Sequence, residues 1–562
     1  MKKLIFLFIF FIAFVKGQVP NWIWGVSAIG KGDLNGVALD NLGNIYAAGV
    51  FGPNTMVFNT TTLSVNYGGT SDMFLTKYNS SGNVIWSRQA VINGQDRAVG
   101  IATDVNNNSY VVGDFKSGIS LDTVSLNSYP NNNTDNVFVA KFDPNGNVMW
   151  AKRAGGDYYS NSYSIATDLS GNVLITGHFI GSYINFGTIT ITNPDPVNKT
   201  SCMFLAKYDT NGNILWVKKS SGNGAGTSGC WPSSVTTDAL GNIYLTGAFD
   251  SNTATFGSFL LTNSGNTDVF IVKYNSNGNE LWAKKAGGNS DDNAISVKTD
   301  ANGDIILGGY FTSSTITFGT NTLVNPNSNL YKENLFLVKY DVNGNVKWAK
   351  NKDRTRLSAL SCDNIGNSYL LGNYRDSVTF GSSKLKYNFF GNIYLSKYDV
   401  NGNDIWGKDV KITTAATGNS FVMPHTLAPK INNEIYFGGG FDCKRIQLDS
   451  CLLANFDSTG NSRAIMLGKI NTLYVGIHEI GLSNENISIF PNPTNGILNV
   501  LLTGSTADNY KLEVLNNLGQ IVYQSEINNE KLQINISQLQ SGLYFIKLES
   551  KRYVKIQKLV KE

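Results

Sequence analysis

The sequence predicts an all-β fold, and three features support this prediction. A unit of four short apolar runs is repeated seven times between residues 20 and 470, with Gly-Asn turns between the runs. Only 15% of the residues are charged, whereas 26 Tyr and 30 Phe are typical of sheets that pack through aromatic side chains. A tryptophan also recurs at nearly regular intervals along the array, and successive ones lie 62, 64, 66, 66, 66 and 58 residues apart: Trp24, Trp86, Trp150, Trp216, Trp282, Trp348 and Trp406.

The fourth unit illustrates the fold expected of one copy. Val235–Asp238, Ile243–Phe249, Val269–Tyr274 and Glu280–Lys285 are predicted to be its four strands. Gly-Asn turns join the first strand to the second and the third to the fourth, because Gly accepts a positive φ and Asn bonds its own backbone. A Thr-Phe-Gly segment between the second and third strands predicts an extra hairpin.

The two ends of the array predict that it closes into a ring. Asn21–Gly25 reads like a fourth strand but precedes the first unit, whereas the last unit ends in Ser462–Gly468, which lacks the tryptophan. An N-terminal strand that completes the last sheet would leave no exposed sheet edge, while an open solenoid would need polar capping repeats. We therefore predict a seven-bladed β-propeller over residues 18–470. The sequence leaves open which end segment is the outermost strand.

Two stretches carry a resemblance to a known repeat family. Asp268–Tyr274 and Leu281–Gly288 resemble the seven-bladed-propeller-type repeats of secreted bacterial proteins. The resemblance covers about 450 residues. It implies the fold and says almost nothing about activity.

Residues 1–17 are predicted to be a signal peptide. Lys2 and Lys3 precede an apolar core, Leu4–Val15, and cleavage is expected before Gln18. A helix of this length would span about 18 Å, too little for a bilayer core of about 30 Å, so a transmembrane anchor is not expected. No cysteine follows the apolar core, which also argues against a lipoprotein anchor.

Residues 487–562 predict a second all-β domain after a linker at 471–486. Its alternating apolar residues indicate about seven short strands, as in a small Ig-like sandwich. Four sequence blocks in this order resemble the type A C-terminal sorting domain of the type IX secretion system of gram-negative bacteria. The residues that carry the resemblance are Pro491, Asn492, Pro493, Gly519, Gln520, Gly542, Tyr544 and Lys558.

This resemblance implies that the type IX secretion machinery is a partner. It also implies a protein that is secreted or displayed on the outer cell surface. The alternative is an Ig-like adhesion domain that stays attached. The sequence does not tell whether the mature protein is released or surface-attached.

The charge distribution argues against nucleic acid as a partner. Of the net charge of +4, residues 1–17 carry +3 and residues 487–562 carry +2, so the repeat region has no basic surface for nucleic acid.

Among five cysteines, Cys443 and Cys451 flank a predicted hairpin and form the one disulfide we predict. Cys362 is expected to be a small buried residue. We expect a monomer.

No motif indicates catalysis, a cofactor or a metal. The three histidines lie in unrelated contexts, and no Gly-rich stretch is followed by Lys-Ser or Lys-Thr before a helix. The repeated Asp-x-Asn-Gly-Asn resembles the start of a calcium loop but lacks the later glutamate, so we interpret it as a turn. Paired carboxylates of a glycosidase remain an alternative, with Asp157, Asp291 and Asp292 as candidates.

The irregular connections between blades are the predicted site of recognition. They lie on the face opposite the uniform Gly-Asn turns, and variable loops on a rigid scaffold commonly bind ligands. We predict a non-catalytic binding or adhesion module for an extracellular glycan or protein, with four aromatic contacts: Tyr158, Tyr159, Tyr163 and Trp231. The alternatives are packing of these aromatics between blades, a carbohydrate-active enzyme, and a structural surface-layer component.

Overall fold

A computed structural model of the chain describes most of the sequence. The described residues are 20–59, 61–65, 71–91, 94–128, 134–197, 200–223, 229–326, 328, 333–387, 392–414, 422–430, 434–455, 463–471, 486–503, 510–516, 520–527, 531–549 and 554–562. The predicted signal peptide, most of the predicted linker and Gly519 lie outside them. The chain divides into two compact units, Met1–Tyr474 and Val475–Glu562.

Seven antiparallel blades of four strands each form the first unit. The first strands of neighbouring blades pack side by side around a central channel, as in a β-propeller. From the first blade to the seventh, the four strands are Gly32–Leu39, Ile45–Phe51, Asp72–Tyr78 and Val84–Gln89; Asp96–Thr103, Ser109–Phe115, Asn136–Phe142 and Val148–Gly156; Ser160–Thr167, Val173–Phe179, Cys202–Tyr208 and Ile214–Lys219; Cys230–Thr237, Ile243–Phe249, Asp268–Tyr274 and Glu280–Ala286; Asp292–Thr299, Ile305–Phe311, Asn334–Tyr340 and Val346–Lys352; Thr355–Cys362, Ser368–Tyr374, Ile393–Tyr398 and Asp404–Thr414; Val422–Pro429, Glu434–Phe441, Ala464–Asn471 and Asn21–Ser27.

The N-terminal strand closes the ring. Asn21–Ser27 pairs antiparallel with Ala464–Asn471 and is the outermost strand of the seventh blade. Trp22 is buried there, with its ring centroid 4.8 Å from that of Phe437. The predicted closure is therefore confirmed. The C-terminal segment supplies the third strand, not the fourth, which answers the question that the sequence left open.

Every blade also carries the predicted insert hairpin between its second and third strands. In the fourth blade, Phe256 of the insert packs on Phe270 of the third strand with ring centroids 4.8 Å apart, so the insert extends the core outward. A short strand, Ser221–Asn223, pairs with this insert. The seven hairpins are Thr55–Phe58 with Thr61–Ser64, Gly118–Leu121 with Val124–Asn127, Tyr183–Asn185 with Thr190–Thr192, Thr253–Phe256 with Phe259–Thr262, Thr315–Phe318 with Asn321–Val324, Val378–Phe380 with Ser383–Leu385, and Arg445–Leu448 with Cys451–Ala454.

The Asp-x-Asn-Gly-Asn motif forms a turn that also joins one blade to the next. In the second blade, Asp143 accepts the backbone N–H of Asn147 at 2.8 Å and its side-chain amide at 2.8 Å. Gly146 has φ of 81° and lies against the ring of Trp86 from the preceding blade. Trp86 Nε1 donates to Pro144 O at 3.1 Å. Both carboxylate oxygens of Asp143 serve the turn, as predicted.

The aspartate that directly follows each of the first six first strands has a similar structural role. Asp168 bonds the backbone and side chain of Asn172 and pairs with Lys207 at 2.9 Å. Lys207 then donates to Ser276 O of the next blade at 3.2 Å. Lys469 makes the equivalent bond across the closed ring, to Ser80 O at 3.4 Å. The remaining members of this set are Asp40, Asp104, Asp238, Asp300 and Asp363.

Two sheets form the second unit and agree with the predicted seven strands. Leu498, Val514 and Ile546 are among the buried side chains that form a core of its own. One sheet contains Asn486–Phe490, Ile497–Thr503 and Lys531–Asn535, and the other contains Ile521–Ile527, Tyr510–Leu515, Gly542–Glu549 and Val554–Lys561.

Candidate ligand-binding site

The propeller has two unlike faces. We call the face with the first-to-second and third-to-fourth turns the hairpin face. The opposite face, which carries the connections between blades and the connections to the inserts, is the loop face. Because the first strand of each blade begins at the loop face, its first residues surround the mouth of the channel.

A bulge recurs at the same position of all seven first strands. The pairing register shifts around the fourth residue of each strand. These fourth residues line a channel cavity of about 360 Å³. They are Asn35, Val99, Tyr163, Ser233, Ile295, Ser358 and His425.

Larger polar and aromatic side chains surround the mouth, two residues earlier in each strand. Arg97 and Arg356 are exposed, whereas Trp231 is half-buried. Such a mixture suits recognition of a polar ligand, because the side chains combine hydrogen-bond donors with a flat apolar surface. The complete set of second residues is Asp33, Arg97, Asn161, Trp231, Asn293, Arg356 and Met423.

The buried carboxylate of Asp114 holds the guanidinium of Arg97 in place. Arg97 Nε and Nη2 donate to Asp114 Oδ2 at 3.2 and 3.0 Å. Asp114 Oδ1 accepts the backbone N–H and the hydroxyl of Ser162 at 2.7 and 2.9 Å. Burial raises the pKa of Asp114, although Arg97 and Ser162 oppose that rise. The guanidinium is held in place while one face stays in solvent.

Arg356 is positioned in a comparable way on the opposite side of the mouth. Its Nη1 donates to Glu333 Oε1 at 3.0 Å, and its guanidinium lies 4.4 Å from the ring centroid of Tyr310. Arg375 contacts the same carboxylate at 3.3 Å. A third arginine, Arg463, pairs with Asp33 at 2.6 Å. Each arginine is therefore charge-compensated.

His425 lies beside the Asp33 pair. Its Nε2 is 4.0 Å from Asp33 Oδ1. Burial lowers the pKa of His425, and Arg463 acts in the same direction while Asp33 opposes it. The imidazole is expected to be neutral at pH 7 and to contribute a hydrogen-bonding edge to the channel.

The structure places the four predicted aromatics on the loop face of the third and fourth blades. Tyr163 is exposed and stacks on His178 with ring centroids 5.5 Å apart, and burial lowers the pKa of His178 to about 4. Tyr158 and Tyr159 contact each other edge to face at 4.6 Å in the preceding connection. Tyr163 and Trp231 thus belong to the mouth, while Tyr158 and Tyr159 flank it.

The acids predicted for a catalytic alternative have structural partners. Asp292 is fully buried and accepts the hydroxyl of Ser313 at 2.8 Å. Asp157 accepts the backbone N–H of Ser182 at 2.8 Å, and Asp291 accepts the hydroxyl of Thr267 at 3.2 Å. In the described part of the chain, no three His, Cys, Asp or Glu side chains lie close enough together to hold a metal ion.

The predicted disulfide between Cys443 and Cys451 is wrong, because both thiols are free. Strand pairing places Cys451 opposite Leu448 at the turn of its hairpin, whereas Cys443 lies at the other end, before the strand begins. Leu448, the partner of Cys451, lies five residues after Cys443, which corresponds to about 16 Å of extended chain. A disulfide requires Cα atoms within about 7 Å.

Sequence reasoning missed Arg97, Arg356, His425 and Lys298, which all line the mouth or the channel. They occupy the second, fourth and seventh positions of their first strands, and the bulge at the fourth position hides this pattern because it breaks the alternation of side chains along the strand. An alignment of the seven repeats on the strand-ending aspartate would have identified them.

In the second unit, the predicted motif joins the two ends of the domain. Asn492 Oδ1 accepts the backbone N–H of Val560 in the last strand at 2.9 Å, between Pro491 and Pro493. The backbone N–H of Thr494 donates to Val560 O, also at 2.9 Å. These bonds link the start of the domain to its C-terminus.

The other motif residues shape turns and strands. The Tyr544 hydroxyl donates to Gln540 O at 2.9 Å, and the backbone N–H of Gln520 donates to Asn516 Oδ1 at 2.9 Å. Gly542 and Lys558 lie in the last two strands, which pair with each other.

Residues 488–562 match the family described as "Secretion system C-terminal sorting domain". The C-terminal unit is a secretion sorting domain. The protein is therefore exported by type IX secretion to the cell surface or outside the cell. No helix in the described ranges is long and apolar enough to cross a membrane.

Two curated proteins match parts of the chain at low identity. The chain is 25% identical over 367 residues to an uncharacterized WD repeat-containing protein of Acanthamoeba polyphaga mimivirus, covering 55% of this chain and 26% of that protein. It is 26% identical over 133 residues to the regulatory protein FlaEY of Caulobacter vibrioides, covering 21% and 12%. The chain thus spans about a quarter or less of these relatives.

Solved structures provide weak likenesses. The C-terminal WD40 domain of Sif2 aligns with a TM-score of 0.37 at 8% identity, covering 80% of this chain and 99% of that domain. A fungal alcohol oxidase in complex with copper aligns with a TM-score of 0.32 at 11% identity, covering 97% and 100%. Scores this low assign no activity.

Proposed function

We propose that the mature protein is a non-catalytic binding or adhesion module whose ligand lies on the loop face, over the mouth of the channel. One observation carries the proposal. Arg97 and Arg356 are each fixed by a carboxylate behind them while they remain exposed, and Tyr163 and Trp231 lie on the same face. Side chains held rigid before binding lose little conformational entropy when a ligand arrives.

The ligand class that suits this surface is an extracellular glycan or a polar protein surface. Aromatic rings can lie on sugar rings, and guanidinium groups donate to hydroxyl and carboxylate oxygens. The sorting domain supports this assignment because it delivers the propeller to the place where such ligands occur. We propose domain limits of 18–470 for the propeller and 487–562 for the sorting domain.

A glycan array probed with the mature protein tests the proposal. Trp231→Ala and Arg356→Ala should each weaken binding of the best glycan at least tenfold, without changing the unfolding midpoint by more than a few degrees. Leu260→Ala is the matched control, because Leu260 is 63% exposed on an insert hairpin. Equal loss in the control would show that the effect is not local to the mouth.

A turnover assay on cell-wall and plant polysaccharides addresses the catalytic alternative. We expect no products. Product formation that Asp157→Asn or Asp291→Asn abolishes would overturn the binding proposal in favour of a carbohydrate-active enzyme.

A further inference from the structure

One lysine of the channel has no partner among the residues that the structure describes. Lys298 lines the cavity, and its ammonium makes no hydrogen bond or ion pair with any residue that the structure describes. The equivalent position of the other first strands holds only small residues: Ala38, Ala102, Ala166, Thr236, Ser361 and Ala428. Lys298 is therefore the one charged side chain in this ring.

The ring of residues between Lys298 and the mouth contains hydroxyl groups with a defined orientation. Ser234 Oγ accepts the backbone N–H of Val297 at 3.3 Å, and Ser164 Oγ accepts that of Val235 at 3.2 Å. Because one lone pair of each hydroxyl receives a backbone N–H, its O–H hydrogen is available to donate toward the channel.

Thr426 has the same arrangement in the seventh blade, where it accepts the backbone N–H of Val37 at 3.0 Å. These three hydroxyls donate to no acceptor among the described residues, and they line the same cavity as Lys298. The lining contains no aspartate or glutamate. The cavity therefore offers hydrogen-bond donors and one positive charge, without a carboxylate to neutralise it.

The physical cost of this arrangement points to a ligand. Burial lowers the pKa of Lys298, and only the neighbouring thiol of Cys362 is placed to oppose that change. An unpaired ammonium that is partly withdrawn from water is unfavourable, and a bound anion would compensate it. An arrangement of ammonium and O–H donors matches an oxyanion.

We propose that the channel binds an oxyanion group through Lys298, Ser164, Ser234 and Thr426. The group is a carboxylate or sulfate, either free or carried by a sugar. This inference deepens the proposed binding function and rests on it. A saccharide held by the mouth would extend an acidic substituent into the channel, and the cavity of about 360 Å³ accommodates one such group but not a whole chain.

Isothermal titration of the mature protein with sulfate, glucuronate and glucose tests the proposal. We expect saturable 1:1 binding of an anion and none of glucose. Tighter binding of glucuronate than of sulfate would identify a sugar acid as the source, and the reverse order an inorganic anion. No saturable binding of either anion, or equal binding of glucose, would overturn the proposal.

Variants locate the site. Lys298→Met should weaken anion binding at least tenfold, whereas Lys384→Met, on an exposed insert strand, should leave it unchanged. Lys298→Gln keeps the length and polarity of the side chain and serves if the methionine variant does not fold. If the Lys298 variants bind the anion with the affinity of the wild type, the inference is wrong. If the Lys298 variants lose anion binding but keep glycan binding, the proposed function holds without an anion site in the channel.

Discussion

Carboxylate side chains have different roles on the hairpin face and on the loop face of this propeller. On the hairpin face, carboxylates are satisfied in the same way in blade after blade, as in the pair of Asp168 and Lys207. On the loop face, Asp72 is buried at 2% exposure and makes no hydrogen bond through its carboxylate to the described residues. Repetition on one face stabilises the ring, whereas on the other face a carboxylate such as that of Asp72 is buried without comparable partners.

The pKa values express this difference. Burial tends to raise the pKa of Asp168, but hydrogen bonds from Asn172 and Lys207 outweigh burial and hold it below its ordinary value. Burial raises the pKa of Asp72 from 3.8 to about 6. The hairpin-face acid stabilises the folded state at neutral pH, whereas the loop-face acid destabilises it.

The largest effect is expected from Asp168→Ala. The substitution leaves Lys207 buried without its partner and removes the cap of the turn, so the free energy of unfolding should fall by about 3–5 kcal/mol. Urea unfolding of the mature protein measures the change. Asp157→Ala is the loop-face control and should cost about 1 kcal/mol or less, because Asp157 caps one exposed N–H. Similar costs for the two variants would contradict the difference between the faces.

The second effect depends on pH. Because folded wild-type protein binds the Asp72 proton more tightly than the unfolded chain does, its stability should fall as pH rises from about 4 to about 6. Asp72→Asn should remove that fall and be more stable at pH 7 by up to roughly 3 kcal/mol, with no difference at pH 4. Unfolding curves across this range measure it.

Asp168→Asn provides the matched control for the pH series. Its carboxylate has a lowered folded pKa, so wild-type stability from this group is present above pH 4 and is lost as the pH falls further. The deficit of this variant should therefore shrink in acid, where the advantage of Asp72→Asn also disappears. A gain for Asp72→Asn that is the same at pH 4 and pH 7 would show that its charge is not the cause.

The sequence was sufficient for the ring but not for the site, and the reason is physical. The period of the tryptophans and the isolated strand at Asn21–Gly25 predicted the closure, because edge pairing is a requirement that the whole fold must satisfy. The bulge in each first strand is local and has no sequence signature of its own. In the third blade, the bulge places Tyr163 and Ser164 on one wall of the channel. For the same reason, the alternation of side chains along the strand did not predict that Lys298 lines the channel.

The same distinction between local and global constraints explains why the disulfide prediction was wrong. Cys443 and Cys451 are close enough in sequence for a hairpin to pair them, but the pairing register depends on where the two-residue turn lies. The turn lies at residues 449–450, so only residues near it face each other.

A third comparison uses two glycines with positive φ. Gly146→Ala on the hairpin face should cost about 2–3 kcal/mol, because φ of 81° strains an L-residue and its Cβ would lie 3.0 Å from Trp86. Gly187→Ala on an insert hairpin has φ of 91° but no atom within 4 Å of its Cβ, so about 1–2 kcal/mol is expected. Urea midpoints measure both. Equal costs would show that Gly146 is required only for its backbone conformation.

The smallest effect concerns single hydroxyls. Thr103 Oγ1 donates to Leu39 O of the preceding blade at 2.6 Å, and Thr167 repeats this bond to Thr103 O at 2.8 Å. Thr103→Val keeps the shape and leaves the Leu39 carbonyl without its donor, so a loss of about 1 kcal/mol is expected by urea unfolding. On the loop face, Thr312 Oγ1 donates to Asp291 O at 2.9 Å in solvent, and Thr312→Val should cost at most half as much. A larger cost for Thr312→Val would mean that loop-face hydroxyls also stabilise the ring, since water would otherwise replace the lost donor.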